Sequence, residues 1–461
     1  ANITPKALTI GGITASNKTY NGNTTATIDV DSATFTGLVD GDDVTVSATG
    51  TFDNKNVGTG KTVTLVETNA GDDVGNYTIT DQGSTTANIT AKTLTATASA
   101  SNKVYDGTTT ATVTLTFSGL VGDETLGQTV GATFADKNVA NAKTVTVNSI
   151  TLSDDGDSGG LADNYSISTG QTTTANITPK ALTIGGITAS NKTYNGNTTA
   201  TIDVDSATFT GLVDGDDVTV SATGTFDNKN VGTGKTVTLV ETNAGDDVGN
   251  YTITDQGSTT ANITAKTLTA TASASNKVYD GTTTATVTLT FSGLVGDETL
   301  GQTVGATFAD KNVANAKTVT VNSITLSDDG DSGGLADNYS ISTGQTTTAN
   351  ITQLSSVTWN GNAGDGLWSS ASNWAGSAIP DQNNVATAVI PSDESVTFDS
   401  DTVGTIGSTI TNNGTLTFNG ATDYTFGQVI SGSGALVKSN ANTLTLSGTN
   451  TYSGDTTISD R

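Results

Sequence analysis

Clustered carboxylates are the groups in this sequence best placed to do chemistry. Asp154, Asp155 and Asp157 surround Gly156, and the arrangement recurs as Asp328, Asp329 and Asp331 around Gly330. Several carboxylates in one glycine-containing turn are what Ca²⁺ asks for, so calcium is the one cofactor the sequence raises. Neither loop has the full Asp-x-Asp-x-Asp-Gly spacing with a distal Glu, and a solvated acidic turn is the competing reading. Tyr20, Tyr105, Tyr194 and Tyr279 each stand two residues before a glycine, Gly22, Gly107, Gly196 or Gly281, where a ring can pack over a tight turn. Lys55, between Asn54 and Asn56, has the residue types of a Lys–Asn amide crosslink, against the plainer reading of a lysine lying over a loop. Trp359, Trp368 and Trp374 are the only tryptophans. They read either as an aromatic platform for sugar or as an apolar cap.

Catalysis has little to draw on. His, Cys and Met are all absent, which removes the imidazole base, the thiol nucleophile and the commonest zinc ligands. There is no Gly-x-Ser-x-Gly elbow and no phosphate-cradling glycine loop. Paired carboxylates could hydrolyse a glycoside, but spacing in sequence does not set their separation in space, so a glycoside hydrolase is the remotest reading. No catalytic residue is assigned and no enzyme is expected. With 45 Asp and Glu against 18 Lys and Arg, the net charge is −27, and the one arginine is Arg461. That balance argues against nucleic acid and against anionic lipid as partners. No apolar run is long enough for a membrane helix, so no membrane insertion is expected.

The elements that must position these residues are repeated. Residues 1–174 recur without change as residues 175–348. Within each copy lies a diverged second repeat: Ser16-Asn17-Lys18-Thr19-Tyr20-Asn21-Gly22 answers to Ser101-Asn102-Lys103-Val104-Tyr105-Asp106-Gly107, and Gly37-Leu38-Val39 to Gly119-Leu120-Val121. Phe52-Asp53-Asn54-Lys55-Asn56-Val57 then answers to Phe134-Ala135-Asp136-Lys137-Asn138-Val139, and Asn76-Tyr77 to Asn164-Tyr165. The string Ala-Asn-Ile-Thr appears a last time at Ala349, and the next residues, Gln353-Leu354-Ser355, no longer resemble a repeat, so the string closes the module before it. Four modules result, 5–90, 91–178, 179–264 and 265–352, with a different segment, 353–461, after them. On this reading residues 1–4 are the last strand of a preceding module, and the chain is expected to be an excerpt of a longer protein.

Short alternating runs such as Val44-Thr45-Val46-Ser47 and Thr62-Val63-Thr64-Leu65, set between Gly, Asn and Asp clusters, predict an all-β chain. Modules of this size with six to eight short strands predict small antiparallel β-sandwiches, Ig-like, with a β-grasp-like sheet as the alternative. Ile89-Thr90-Ala91-Lys92 passes from one module to the next with no Gly/Ser or Pro-rich spacer, which predicts a stiff array.

The spaced motifs Asn-Lys-x-Tyr-[Asn/Asp]-Gly, Gly-Leu-Val, Lys-Asn-Val and Asn-Tyr resemble the YDG-type repeat domains of bacterial surface exoproteins, with Asn21 and Asn195 in place of the name-giving Asp. Ile430-Ser431-Gly432-Ser433-Gly434-Ala435-Leu436 and Leu444-Thr445-Leu446-Ser447-Gly448-Thr449-Asn450-Thr451-Tyr452 are similar to the passenger-associated repeat of autotransporters. That second resemblance implies the start of a right-handed β-helix, of two or three coils. It also implies type V secretion to the surface of a Gram-negative bacterium. The function expected is that of a stalk in a surface adhesin or biofilm-matrix exoprotein. A glycan or protein ligand would be bound outside these residues, and self-association into fibres is a further partner reading. The alternative is a multivalent array in which each module holds a glycan or matrix protein weakly.

Overall fold

The computed structural model describes residues 1–399 and 404–459; Arg461 lies outside them. The chain is all-β, its described residues carrying strands and short 3₁₀ turns and no α-helix. It forms two compact units, residues 1–187 with 204–222 and 241–257, and residues 188–203 with 223–240 and 258–461. The division runs through the third module, so that each seam between one module and the next lies inside one unit.

In the first module, alternation of Thr with Val, Leu or Ala makes strands with one apolar and one hydroxyl face. The main sheet has five strands, in the order Lys18–Thr19, Ser84–Thr90, Gly58–Ala70, Thr45–Phe52 and Thr25–Ala26. Its inner face carries Phe52, Val63, Leu65, Ala87 and Ile89, and the intervening Thr51, Thr62 and Thr64 are exposed. A three-stranded sheet, Thr34–Thr36, Lys6–Gly11 and Tyr77–Thr80, accompanies it. The second module repeats the five-stranded order with Lys103–Val104, Thr172–Thr178, Ala140–Ser153, Gly127–Phe134 and Thr110–Ala111. Residues 179–264 and 265–352 repeat these two patterns in turn.

The expectation of antiparallel pairing is corrected in two places per module. Lys6–Gly11 runs parallel to Tyr77–Thr80, and the short Lys18–Thr19 runs parallel to Ser84–Thr90. In both cases about 70 residues separate the partners, ample for the long crossover that a parallel pair needs.

Cores do not stop at module ends. The apolar cluster of the first module, with Ile10, Ile13, Tyr20 and Phe52, includes Leu94 and Tyr165 of the second. The cluster around Tyr105 and Phe134 includes Leu182, Val218 and Tyr251 of the third.

Beyond residue 352 the pairing is of another kind. Strands Leu354–Thr358, Val385–Ile390, Thr409–Asn412 and Ile430–Ser431 form one sheet, and Ser395–Phe398, Thr415–Phe418, Ala435–Lys438 and Thr456–Ile458 another, all parallel. From Ile410 onward each residue of these strands stacks on the one 20 residues later, as in Ile410 on Ile430 and Leu416 on Leu436.

Candidate functional site at the module seams

The four motifs that define a module meet at one place, the seam with its neighbour. Tyr20 comes after the short strand Lys18–Thr19, and its backbone N–H donates to the carbonyl of Thr90, on the strand by which the chain leaves the module. The ring therefore points out of its own module. Its hydroxyl donates to Glu124 Oε1 of the second module over 2.6 Å, the Lys55 ammonium donates to the same oxygen over 2.8 Å, and Tyr165 donates to Oε2 over 2.6 Å. Glu124 is 8% exposed, so one buried carboxylate is shared by three donors from two modules. The two rings meet edge to face at 5.3 Å. Beside them Asn164, held by a 3₁₀ turn, accepts from the Val57 N–H at 2.8 Å and donates to Asn56 Oδ1 at 3.1 Å.

Gly22 supplies space rather than charge at this seam. Its φ of +80° suits glycine, and a Cβ there would stand 2.7 Å from Val121 Cγ1 of the second module. So Tyr-x-Gly and Lys-Asn-Val form a donor face, and Gly-Leu-Val with its succeeding acid and Asn-Tyr form the acceptor face.

The other seams are built alike. Tyr105 and Tyr251 both donate to Asp216 Oδ2, at 2.8 and 2.5 Å, and Lys137 reaches Asp216 Oδ1 at 2.9 Å and Asp247 at 3.2 Å. Tyr194, Lys229 and Tyr339 share Glu298 at 2.6, 2.8 and 2.6 Å. At the end of the array Tyr279 donates to the Ile379 carbonyl at 3.1 Å, and Lys311 pairs with Asp381 at 3.0 Å.

Burial pushes the Glu124 carboxyl up, but the hydrogen bonds from Lys55, Tyr165 and Tyr20 outweigh it and hold the group below its usual value. Glu298 and Asp216 are lowered in the same way, by their own lysine and two tyrosines. Burial, then the hydrogen bond to the carboxylate, pushes the Tyr251 and Tyr339 hydroxyls up to about 12. Each carboxylate is thus ionised and each phenol neutral at pH 7, the arrangement in which every donor has its acceptor.

Residues 4–87, 90–175, 178–261 and 264–349 each match the YDG domain. The chain belongs to the YDG domain family. Residues 436–460 match the passenger-associated-transport-repeat, and the two matches together suggest an autotransporter passenger or surface protein. No curated protein matches the chain. Among solved structures it is similar to the I9–I11 tandem of titin, at 12% identity over 56% of this chain and 98% of that one, with a TM-score of 0.16. It is also similar to Drosophila N-cadherin EC1-4, at 9% identity over 74% of this chain and 99% of that one, with a TM-score of 0.17. No helix among the described residues is long and apolar enough to cross a membrane.

The lysine of the YDG signature also has a local task. Lys18 Nζ donates to Asn21 Oδ1 at 2.9 Å and to the carbonyls of Asn23 and Thr25 at 2.7 and 3.1 Å, so the hairpin wraps its ammonium. Lys103 does the same with Asp106, Thr108 and Thr110, which is why Asn or Asp serves equally before the glycine. Lys55 is held by Glu124 of the next module, so its ammonium is engaged across the seam rather than with Asn54 or Asn56.

In the acidic loops the carboxylates build the turn. Asp155 accepts from the Thr125 hydroxyl and from the Asp157 N–H, and Asp154 accepts from the Ala162 N–H at 2.7 Å. Asp328, Asp329 and Asp331 repeat this around Thr299 and Ala336. Among the described residues no group of three or more acidic side chains is arranged around a common point for a metal. Trp359, Trp368 and Trp374 are at most 2% exposed and stacked edge to face, Trp374 donating to the Trp368 carbonyl at 2.8 Å. Their burial withholds the rings from a sugar.

Sequence reasoning missed the acceptors Glu124, Asp216, Glu298 and Asp381. A signal existed for the first three: an acid stands three residues beyond the valine of Gly-Leu-Val in each of their modules.

Proposed function

We propose that this chain is the stalk of a secreted bacterial surface adhesin or matrix exoprotein, with a structural and not a catalytic role. Each module is read as a small sandwich and residues 353–461 as the first coils of a right-handed β-helix, the 20-residue offset of Ile410 and Ile430 being one coil. The observation that carries the proposal is the shared buried carboxylate at Glu124, Asp216 and Glu298, together with apolar cores that continue across seams. Such seams resist bending because any hinge motion would strip donors from a buried charge. A glycan or protein ligand is assigned to regions outside these residues.

Small-angle scattering on the full chain tests this. A stiff stalk has a maximum dimension of at least ~140 Å, taking ~35 Å per module from the strand rise, and the same value in Ca²⁺ and in chelator. A compact particle would sink the stalk and favour a binding surface between folded-back modules. Contraction in chelator alone would assign calcium to the acidic loops.

A further inference from the structure

The seams come in two kinds, and the geometry points to a pairing code: donor faces of the first and third modules fit a Glu acceptor, and those of the second and fourth fit an Asp acceptor. This rests on the seam geometry and holds whether or not the array is a stalk. Glu124 and Asp216 occupy the same position, each with its N–H bonded to the carbonyl of the Val three residues before it, at 3.2 and 3.1 Å. The backbone turn is therefore the same, and one methylene of reach separates the acceptors. Glu298 repeats the first kind on the same turn, at 3.1 Å.

A second residue differs with the first. Asp247, three residues before Asn250, gives Lys137 a second carboxylate at 3.2 Å, whereas the corresponding residue before Asn164 is Leu161. An Asp acceptor face thus offers two carboxylates to the incoming lysine, and a Glu acceptor face offers one.

The segment after residue 352 belongs to a different repeat and yet supplies the second half of the Asp kind, the carboxylate three residues before the asparagine; in place of the first half, the Ile379 carbonyl accepts from the Tyr279 hydroxyl at 3.1 Å. Val313 N–H donates to Asn384 Oδ1 at 2.7 Å, and Asn384 donates to Asn312 Oδ1 at 2.9 Å, reproducing the bonds of Val139 and Asn138 to Asn250 at 2.9 and 3.2 Å. Asp381 and Asn384 have the spacing of Asp247 and Asn250, in the same turn, with the Asn N–H bonded to the Asp carbonyl at 3.1 and 2.9 Å. Leu354 pairs in parallel with Val385, next after that Asn, as Lys180 pairs with Tyr251. Gly281 is approached closely by Ser377, as Gly107 is by Val213. The segment copies the acceptor face of an odd-numbered module, and so fits the donor face of an even-numbered one. Modules can then be gained or lost only in pairs, by whole 174-residue units.

Two deletions in the full chain test this, since Ala-Asn-Ile-Thr precedes Gln353 in both. Removing residues 179–352 sets Tyr105 and Lys137 against Asp381, a matched seam; removing residues 265–352 sets Tyr194 and Lys229 against it, a mismatched one. All three tryptophans lie beyond residue 352 and report on that side of the seam. The pair deletion is expected to keep the denaturant midpoint of tryptophan fluorescence, and the single deletion to lower it. Asp381→Leu, which installs the residue that a Glu acceptor face has at this position, should lower the midpoint of the full chain and not that of the single-deletion chain. Equal midpoints for the two deletions, or an equal loss from Asp381→Leu in both chains, would overturn the code. If the single-deletion chain does not fold, Asp216→Glu and Glu298→Asp in the full chain decide. Each should speed amide exchange at its own seam, at Val139 or Val231, whose N–H groups are bonded across it; unchanged exchange at both would overturn the code.

Discussion

The Tyr20 hydroxyl donates to Glu124 Oε1 over 2.6 Å, although the two residues stand 104 apart in sequence. A residue that looks like part of a local hairpin motif is thus half of a bond whose other half belongs to the next module. The signature residues of these modules describe a joint as much as a fold.

Tyr20→Phe removes one hydrogen bond to a buried charge, and Glu124→Gln removes the charge. Each is expected to cost about 1.5–3 kcal/mol. The double variant should lose less than the sum, by a coupling of about 0.5–3 kcal/mol. Urea denaturation of the four chains measures this, and strict additivity would mean the two groups do not act together.

Acid should loosen the seams. Glu124 and Glu298 have folded values below the ordinary 4.5, and Asp216 below 3.8. Their contribution is fully present above those ordinary values and is lost as pH falls through the lowered folded ones. The denaturation midpoint should therefore drop below about pH 4.5, and Glu124→Gln should flatten that drop.

At Gly107 a Cβ would stand 2.7 Å from Val213 Cγ1, on a backbone with φ of +77°. Gly107→Ala is expected to destabilise by about 1–3 kcal/mol. Adding Val213→Ala should recover the steric part and leave the backbone part, as read from thermal midpoints.

Trp374→Ala should open a cavity beside Trp359 and Trp368 and cost about 3–5 kcal/mol. Near-ultraviolet circular dichroism should lose the signal of the two remaining tryptophans, whereas amide exchange in residues 5–90 should not change.

The β-class and the repeat pattern were legible because Thr alternating with Val, Leu or Ala has the period of a strand, and repetition needs no structure to be seen. The parallel pairing of Lys6–Gly11 with Tyr77–Thr80 was not legible, since partners about 70 residues apart leave no local mark. Tyr20 was legible as a ring beside a turn, but its partner was not: Glu124 is one of 45 acids, its spacing from Gly-Leu-Val does not say that it is buried, and its 8% exposure shows only in the fold. The acidic loops drew attention through composition alone, whereas in space Asp155 is occupied with Thr125 and the Asp157 amide.

The shared carboxylate also sets a schedule. Tyr20 is anchored once Thr90 has been made, but Glu124 comes 104 residues after Tyr20. Wherever the exported chain folds, a first module that closes on Thr90 stands with Tyr20 and Lys55 unpaired until the stretch from Thr90 to Glu124 has folded too. Each donor face therefore waits on its neighbour, and the order in which modules fold decides how long a lysine or a carboxylate is left without its partner.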